Sequence, residues 1–404
     1  LKILVLNSGS SSLKYEVYQM PEKVSLIKGL IERIGIKGTG IITQKKIVND
    51  RAVKYEFIQD ISNHKIALEL VLKALTDSKY GVLEDINEID AIGHRVVHGG
   101  EHYSKSVIID QEVLNELEEC IKLAPLHNPA NIIGIRTAEA LLKDKIQVAV
   151  FDTAFHQTMP DYAYLYPIDY SLYEKNKIRK YGFHGTSHKY VYNASLEYLN
   201  ITDMKPNAII LHLGNGGSLC AIKEGKSIDT TMGFTPLDGI VMGTRSGSID
   251  PAIVLYLIEE LGYSSQEVNN ILNKKSGLLG ISGISNDMRD LNEQKEVNKQ
   301  ARLAIDIYVY SIKKFLCSYI GILGDVEFIT FTAGVGENAY FIREIICYNL
   351  ENFGIIFDKE ENIRVKRDIP ALLSKSESKI KILAIPTNEE LQIAQDTYDL
   401  KISR

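Results

Sequence analysis

LKILVLNSGSSSLKYEVY, Leu1 to Tyr18, is the stretch from which the fold can be read. Ile3, Val5 and Leu6 form a short apolar run rich in β-branched residues, which predicts a buried strand. Asn7-Ser8-Gly9-Ser10-Ser11-Ser12 follows without a break. Leu13, Tyr15 and Val17 then alternate with Lys14, Glu16 and Tyr18, as in a half-buried strand. The opening is therefore a hairpin with a small, hydroxyl-rich turn closed by a lysine. Such a turn can aim backbone N–H groups, Ser hydroxyls and one ammonium at an anion, most naturally a phosphate. Asn7, at a strand end, can offer an oxygen to a hard cation such as Mg²⁺. The same residues also suit a solvated Ser-rich turn.

At Asn207 the opening starts again. Ala208 to Leu213 is an apolar strand, Gly214-Asn215-Gly216-Gly217-Ser218 a small-residue turn, and Leu219 to Ile222 a returning strand. A strand–turn–strand repeat of this kind suggests a duplicated domain with the ligand between its halves. The rest of the chain alternates between strand and helix patterns, so the class is α/β. Strand-like runs cover 24–34 and 40–48, helical periodicity 62–75, and two further helices 110–123 and 129–142. The strand 147–151 ends at Asp152. In the second half helices are expected over 251–261 and 298–320, with a polar loop at Asp287-Met288-Arg289-Asp290. The strand 326–332 meets the glycine turn Ala333 to Asn338, and a helix runs on to about 352. A last strand, 380–385, ends in Pro386-Thr387-Asn388-Glu389-Glu390 before a terminal helix.

The chain has 404 residues, 45% of them hydrophobic, enough for a sizeable core and two domains. With 46 basic against 52 acidic residues the net charge is −6, so no basic field suggests nucleic acid. No apolar run has the roughly 18 residues that span a bilayer, and the N-terminal strand does not read as a secretion signal. Cys120, Cys220, Cys317 and Cys347 are far apart and form no C-x-x-C pair, as expected of reduced cytoplasmic thiols.

The nearest approach to a G-x-x-x-x-G-K-[ST] loop is Cys220 to Ser227, whose first glycine is replaced by cysteine; Gly225-Lys226 reads as a hairpin turn, and the P-loop fold is rejected. His94, His98 and His102 have helical zinc-ligand spacing, but Gly99-Gly100 disfavours a helix there. His184 and His188 share that spacing without a nameable third ligand. Arg95 and Arg245 both sit among glycines, where a guanidinium fork can approach a carboxylate or phosphate. Asp152 and Glu389 are carboxylates at strand ends, suited either to a ligand site or to a helix cap.

NSGSSSLK (7–14), GHRVVHGG (93–100), LHNP (126–129), FDTAFH (151–156) and YGFHGTSH (181–188) resemble, in order, the blocks of the acetate kinase family. So do HLGNGGS (212–218), MGFTPLDG…MGTRSGSIDP (232–251), DMRD (287–290), FTAGVGEN (331–338) and TNEE (387–390). The resemblance implies a duplicated actin-like ATPase (ribonuclease H-like) fold, with a first domain of 1–152 plus 386–404, a second of 153–385, and an active-site cleft between them. It also implies Mg²⁺-dependent phosphoryl transfer between ATP and acetate, giving acetyl phosphate and ADP, with Mn²⁺ as a substitute metal, in a cytoplasmic homodimer. Under it, Arg95 holds the acetate carboxylate, and Val97, Leu126, His127 and Pro236 surround the substrate. Asn7 and Glu389 belong to the metal site, and His184 and Arg245 stabilise the phosphoryl group in flight. Asp152 is an essential carboxylate that orients an arginine or a metal-bound water, since a general base is not needed. The nucleotide falls to Ser10, Ser12, Lys14, His212, Leu213, Gly214, Asn215, Gly216, Asp287, Met288, Arg289, Gly334, Val335, Gly336, Glu337 and Asn338. A kinase for longer acyl chains, a pyrophosphate-dependent relative and a non-catalytic nucleotide-binding scaffold are the competing expectations.

Overall fold

The structure is a computed structural model that describes residues 1–48, 51–125 and 127–404. It divides into two compact units: residues 1–155 with 388–404, and residues 156–387.

The first unit is built on eight strands: β1 (Lys2–Ser8), β2 (Ser12–Gln19), β3 (Val24–Glu32), β4 (Gly40–Val48), β5 (Arg51–Gln59), β6 (Ile89–Val96), β7 (Val107–Ile108) and β8 (Ile146–Phe151). They lie in the order β5-β4-β3-β2-β1-β6-β8-β7. The opening hairpin is antiparallel, with Asn7 opposite Lys14, whereas β1, β6 and β8 run parallel. Their registers pair Leu6 with His94 and Arg95 with Val150. Asn7, Arg95 and Asp152 therefore emerge at one edge, the carboxyl ends of the parallel strands, where α/β sheets place ligands. β1 is covered on both faces, which explains its unbroken apolar run. Leu4 and Leu6 pack with the helices His64–Leu75 and Asn128–Leu141, and Ile3 and Val5 with Ile393 and Ala394 of the terminal helix Glu389–Ile402. That helix lies close on β6. A Cβ on Gly93 would come within 2.4 Å of Thr397 Oγ1 and 2.6 Å of Ile393 Cγ2.

The second unit has β9 (Ala208–Leu213), β10 (Gly217–Lys223), β11 (Lys226–Thr230), β12 (Phe328–Thr332), β13 (Ala371–Leu372) and β14 (Lys381–Ala384), in the order β11-β10-β9-β12-β14-β13. β9 and β10 form an antiparallel hairpin, and β9, β12 and β14 run parallel. The series β11-β10-β9-β12-β14 thus repeats β3-β2-β1-β6-β8 in order and sense, and the repeat legible at Asn207 is a repeat of topology. The core gathers around the helix Lys299–Leu323, whose Ala301, Ala304, Ile305, Tyr308 and Ile312 recur at helical spacing and pack with Leu211, Leu219, Ile329 and Phe331.

Several elements differ from the sequence expectation. The Asp287–Asp290 stretch is not a loop: Asp287 caps a helix, Met288–Gln294, its side chain accepting from the Arg289 N–H at 2.8 Å. The glycine turn after β12 is itself helical, Ala333–Asn338, and a separate helix, Tyr340–Cys347, follows. The helix expected over 110–123 stops at Glu119 and continues as a tighter turn. The helix Gly185–Tyr198 was hidden by the glycine at its first position, where His184 at φ 58° starts it from left-handed backbone. β5 and β11 carry too much charge to announce themselves as strands. Among the described residues no helix is long and apolar enough to cross a membrane.

Candidate active site

In the first unit the site grows from the carboxyl edge of the parallel strands. Arg95 donates from Nε to both oxygens of Asp152 (3.1 and 3.2 Å) and from Nη2 to Oδ2 (2.7 Å). Asp152 is buried, while about a quarter of the Arg95 side chain reaches solvent. Asp152 raises the Arg95 pKa further, so the guanidinium stays charged. Glu389, the first residue of the terminal helix, places Oε2 4.0 Å from Arg95 Nε. Burial pushes the Glu389 carboxyl up to about 7; Arg95 opposes this, Asp152 and Glu390 add to it, and Lys14 opposes it. Asn388 caps the helix through the Leu391 N–H at 2.9 Å and accepts from the Tyr18 hydroxyl at 3.1 Å. Asp152 and Glu390 add to the raised pKa of Glu389, a mutual repulsion of carboxylates that a divalent cation would relieve, and Asn7 lies near the end of β1 at the same edge of the sheet.

The turn between β1 and β2 is closed by Gly9, whose N–H donates to the Ser12 carbonyl at 2.8 Å. Ser10 is exposed at its tip. Lys14, with Glu16, Lys28, Lys45 and Glu390, borders a groove of about 310 Å³. Val97 is buried, its N–H donating to Asn131 Oδ1 at 3.1 Å. His127 is exposed at the start of its helix, and Leu126 lies outside the described residues.

In the second unit His184, His212, Gly216 and Arg245 come together. The rings of His184 and His212 stack with centroids 4.1 Å apart. A Cβ on Gly216 would lie 3.3 Å from Arg245 Nη1 and 3.6 Å from His184 Nε2, so a side chain there would crowd the guanidinium and the ring. Arg245 Nη1 donates to the Pro236 carbonyl at 3.1 Å. Among the described residues no carboxylate comes within ion-pair distance of Arg245, and burial lowers its pKa. A half-buried guanidinium without a counter-ion is a site for an anion. Pro236 enters here through its carbonyl.

A pocket of about 560 Å³ adjoins these residues. Gly214, Asn215, Asp287, Met288, Arg289, Gly334, Val335 and Asn338, which the resemblance assigned to the nucleotide, are among the residues that line it. Gly243, Asn286, Phe341 and Arg367 also line it, and sequence reasoning missed them. Gly243 lies within the MGTRSGSIDP motif and Asn286 beside DMRD; Arg367, in a polar segment without pattern, gave no signal. Leu213 is fully buried in the core. Gly336 gives its carbonyl to Arg343 Nη1 at 2.8 Å. Glu337 does not line the pocket. Its Oε1 accepts from the N–H groups of Ala333 (2.8 Å) and Thr387 (3.1 Å), bracketing two strand ends. Ala333 itself is held at φ 64°, a left-handed conformation uncommon for a residue with a Cβ.

The duplicated sheets and the two sets of residues define a phosphotransferase of the actin-like ATPase class. The model of the Acetokinase family matches residues 2–395, and the chain belongs to that family. It is 54% identical over 403 residues to an acetate kinase of Clostridium botulinum, with 99% of each chain covered. The crystal structure of Porphyromonas gingivalis acetate kinase superposes with a TM-score of 0.93 at 45% identity, covering 99% of both chains. A propionate kinase from Francisella tularensis superposes at 0.90 with 44% identity, covering 98% of this chain and 99% of its own.

Proposed function

We infer that the chain catalyses reversible, in-line phosphoryl transfer between ATP and acetate, giving acetyl phosphate and ADP. The observation that carries the phosphoryl-transfer reading is Arg245, a half-buried guanidinium without a carboxylate partner among the described residues, beside His184 and the Gly216 turn. The acceptor is already an anion, so no general base is needed. What the reaction demands is alignment and charge neutralisation. Arg95, fixed along one edge by Asp152, has its other edge for the acetate carboxylate. Arg245 and His184 act on the equatorial oxygens of the group in transit. The pocket lined by Asn215, Asp287–Arg289, Gly334, Val335 and Asn338 suits the nucleotide; the family resemblance assigns Ser10, Ser12 and Lys14 to its phosphates. Mg²⁺, with Mn²⁺ as a substitute, would be held by Asn7 and Glu389 and would neutralise phosphate charge. By the family resemblance Val97, Leu126 and Pro236 would serve the acetate methyl, and His127 the substrate.

A coupled assay of acetate, propionate and butyrate, each with ATP or pyrophosphate, tests this reading. Acetate with ATP is expected to give the highest kcat/KM. The likeness to a propionate kinase makes propionate the rival acceptor.

A homodimer accompanies this reading. The helix Pro251–Glu259 has no buried residue although it exposes Ile253, Leu255, Tyr256 and Ile258, an apolar face of the kind that a second copy covers. Leu255→Glu should yield a monomer by sedimentation. The four cysteines are unpaired and three are buried, which suits a reducing cytoplasm.

A further inference from the structure

His184 is not the end of its hydrogen-bond chain. Its Nδ1 lies 2.9 Å from Ser218 Oγ, and the same oxygen lies 2.8 Å from Nε2 of His188. Ser218 and His188 are both fully buried. The other ring nitrogen of His188, Nδ1, is buried without a hydrogen-bond partner. Burial, with His156 and His212 adding, holds the pKa of His188 well below that of an ordinary histidine, so its ring is neutral and carries one proton.

The position of that proton orders the chain. A buried N–H without an acceptor is rarer and costlier than an unmet lone pair. The His188 proton therefore sits on Nε2 and donates to Ser218 Oγ. The serine has one proton of its own, and His184 Nδ1 is the acceptor within reach. With Nδ1 accepting, a neutral His184 must carry its proton on Nε2. That nitrogen is the one on the side of Gly216 and Arg245.

We propose that Ser218 and His188 are positioning residues that fix the tautomer of His184, so that Nε2–H is the donor offered to the transferring phosphoryl group. The role rests on the phosphoryl-transfer reading above, and deepens it by assigning the atom. Ser218 and His188 touch no substrate; they act through the ring of His184. Without the serine hydroxyl the ring loses both its orientation and its reason to keep Nδ1 bare.

The test is nitrogen-15 NMR of the histidine rings in the full chain at pH 7.5, with steady-state kinetics of variants. In the unaltered protein, His184 and His188 should both show a pyridine-type Nδ1 and a protonated Nε2. Ser218→Ala should shift the His184 Nδ1 resonance and lower kcat about tenfold or more, with KM for acetate and ATP within about twofold. His188→Gln, whose amide can still donate to Ser218, should keep more kcat than His188→Ala. A protonated Nδ1 on His184 in the unaltered protein overturns the proposal without any variant having to fold. So does a Ser218→Ala protein with unchanged His184 resonances or unchanged kcat. Failure of the unaltered chain to phosphorylate acetate would instead sink the functional reading, while the ring spectra would still decide the tautomer.

Discussion

Asp152 and Arg95 are joined along one edge of the guanidinium, Nε and Nη2 both engaged, which leaves the Nη1 side of the fork facing away from the carboxylate. The pair is lopsided in burial, the acid enclosed and the arginine a quarter exposed. Removing the arginine therefore strands a buried charge. Arg95→Ala should cost about 3 kcal/mol of stability, the low end for a broken buried pair because the arginine is partly solvated. Asp152→Ala should cost less. The double variant should recover more than 1 kcal/mol relative to the sum. Urea midpoints of the four proteins check this, and strict additivity would mean that the pair is energetically idle.

Arg245 should behave in the opposite way. Among the described residues it has no carboxylate to strand, so Arg245→Ala should leave the unfolding midpoint unchanged or raise it. Its kcat should fall by about three orders of magnitude, in line with arginines that neutralise a phosphoryl group in transit, with little change in KM for acetate. Arg95→Ala should mainly raise KM for acetate. Lysine should rescue neither, because a point charge does not reproduce a planar fork. Added guanidine should restore part of the activity of Arg245→Ala. A defect of Arg245→Ala confined to acetate KM would reverse the roles.

The two arginines also mark how far the sequence could be read. Both were visible as arginines among glycines, a local signature, although only Arg245 lies in a loop; Arg95 is in β6, with Gly99 and Gly100 just beyond the strand end. That one is paired and the other unpaired was not visible, since the partner of Arg95 is 57 residues away and enters through strand register. The hairpins and the topological repeat were legible from alternation and small-residue turns. The helix at Gly185–Tyr198 was not, because its first turn holds a glycine and a histidine at φ 58°. Ser218 drew notice only as part of a turn; its bridge between two histidines exists only once β10 is laid beside the helix that carries them.

Gly93 sits two residues before Arg95 and beneath the terminal helix. A methyl group there meets Thr397 and Ile393, both fully buried, so the helix must lift. Gly93→Ala should destabilise by about 1–3 kcal/mol, as over-packing does. It should also displace Glu389 from Arg95 and raise the Mg²⁺ concentration needed for half-maximal activity. A variant with normal Mg²⁺ dependence would show that the helix start is held independently, through Asn388 and Tyr18.

Val97 tests the acyl pocket. It is buried one residue beyond β6, and Val97→Ala would open space for one more methylene, worth about 1–3 kcal/mol in an apolar site. The ratio of kcat/KM for propionate over acetate should rise tenfold or more. An unchanged ratio would place the acyl chain elsewhere.

His94 gives the pH dependence a sign. It is fully enclosed and donates from Nε2 to Gln147 Oε1 at 2.6 Å, and burial lowers its pKa from 6.5 to about 4. In the unfolded chain it takes up a proton below about pH 6.5; in the native protein only near pH 4. Between those values the unfolded state binds more protons, so stability falls as pH falls, by about 1.4 kcal/mol per unit from this group alone. His156 pulls the same way. Glu389, raised to about 7, pulls the other way, because its native carboxyl is protonated first as pH falls. A raw acid-unfolding curve would mix these, whereas His94→Gln isolates one. Glutamine can keep the bond to Gln147 and cannot titrate. Whatever its cost at pH 7, the variant should gain on the unaltered protein as pH drops, by about 3 kcal/mol in all between pH 6.5 and 4. Urea midpoints at pH 6.5, 5.5 and 4.5 measure the gap. Parallel stability curves would mean that His94 is protonated in the native state at ordinary pH, and that its bond to Gln147 is made by a cation.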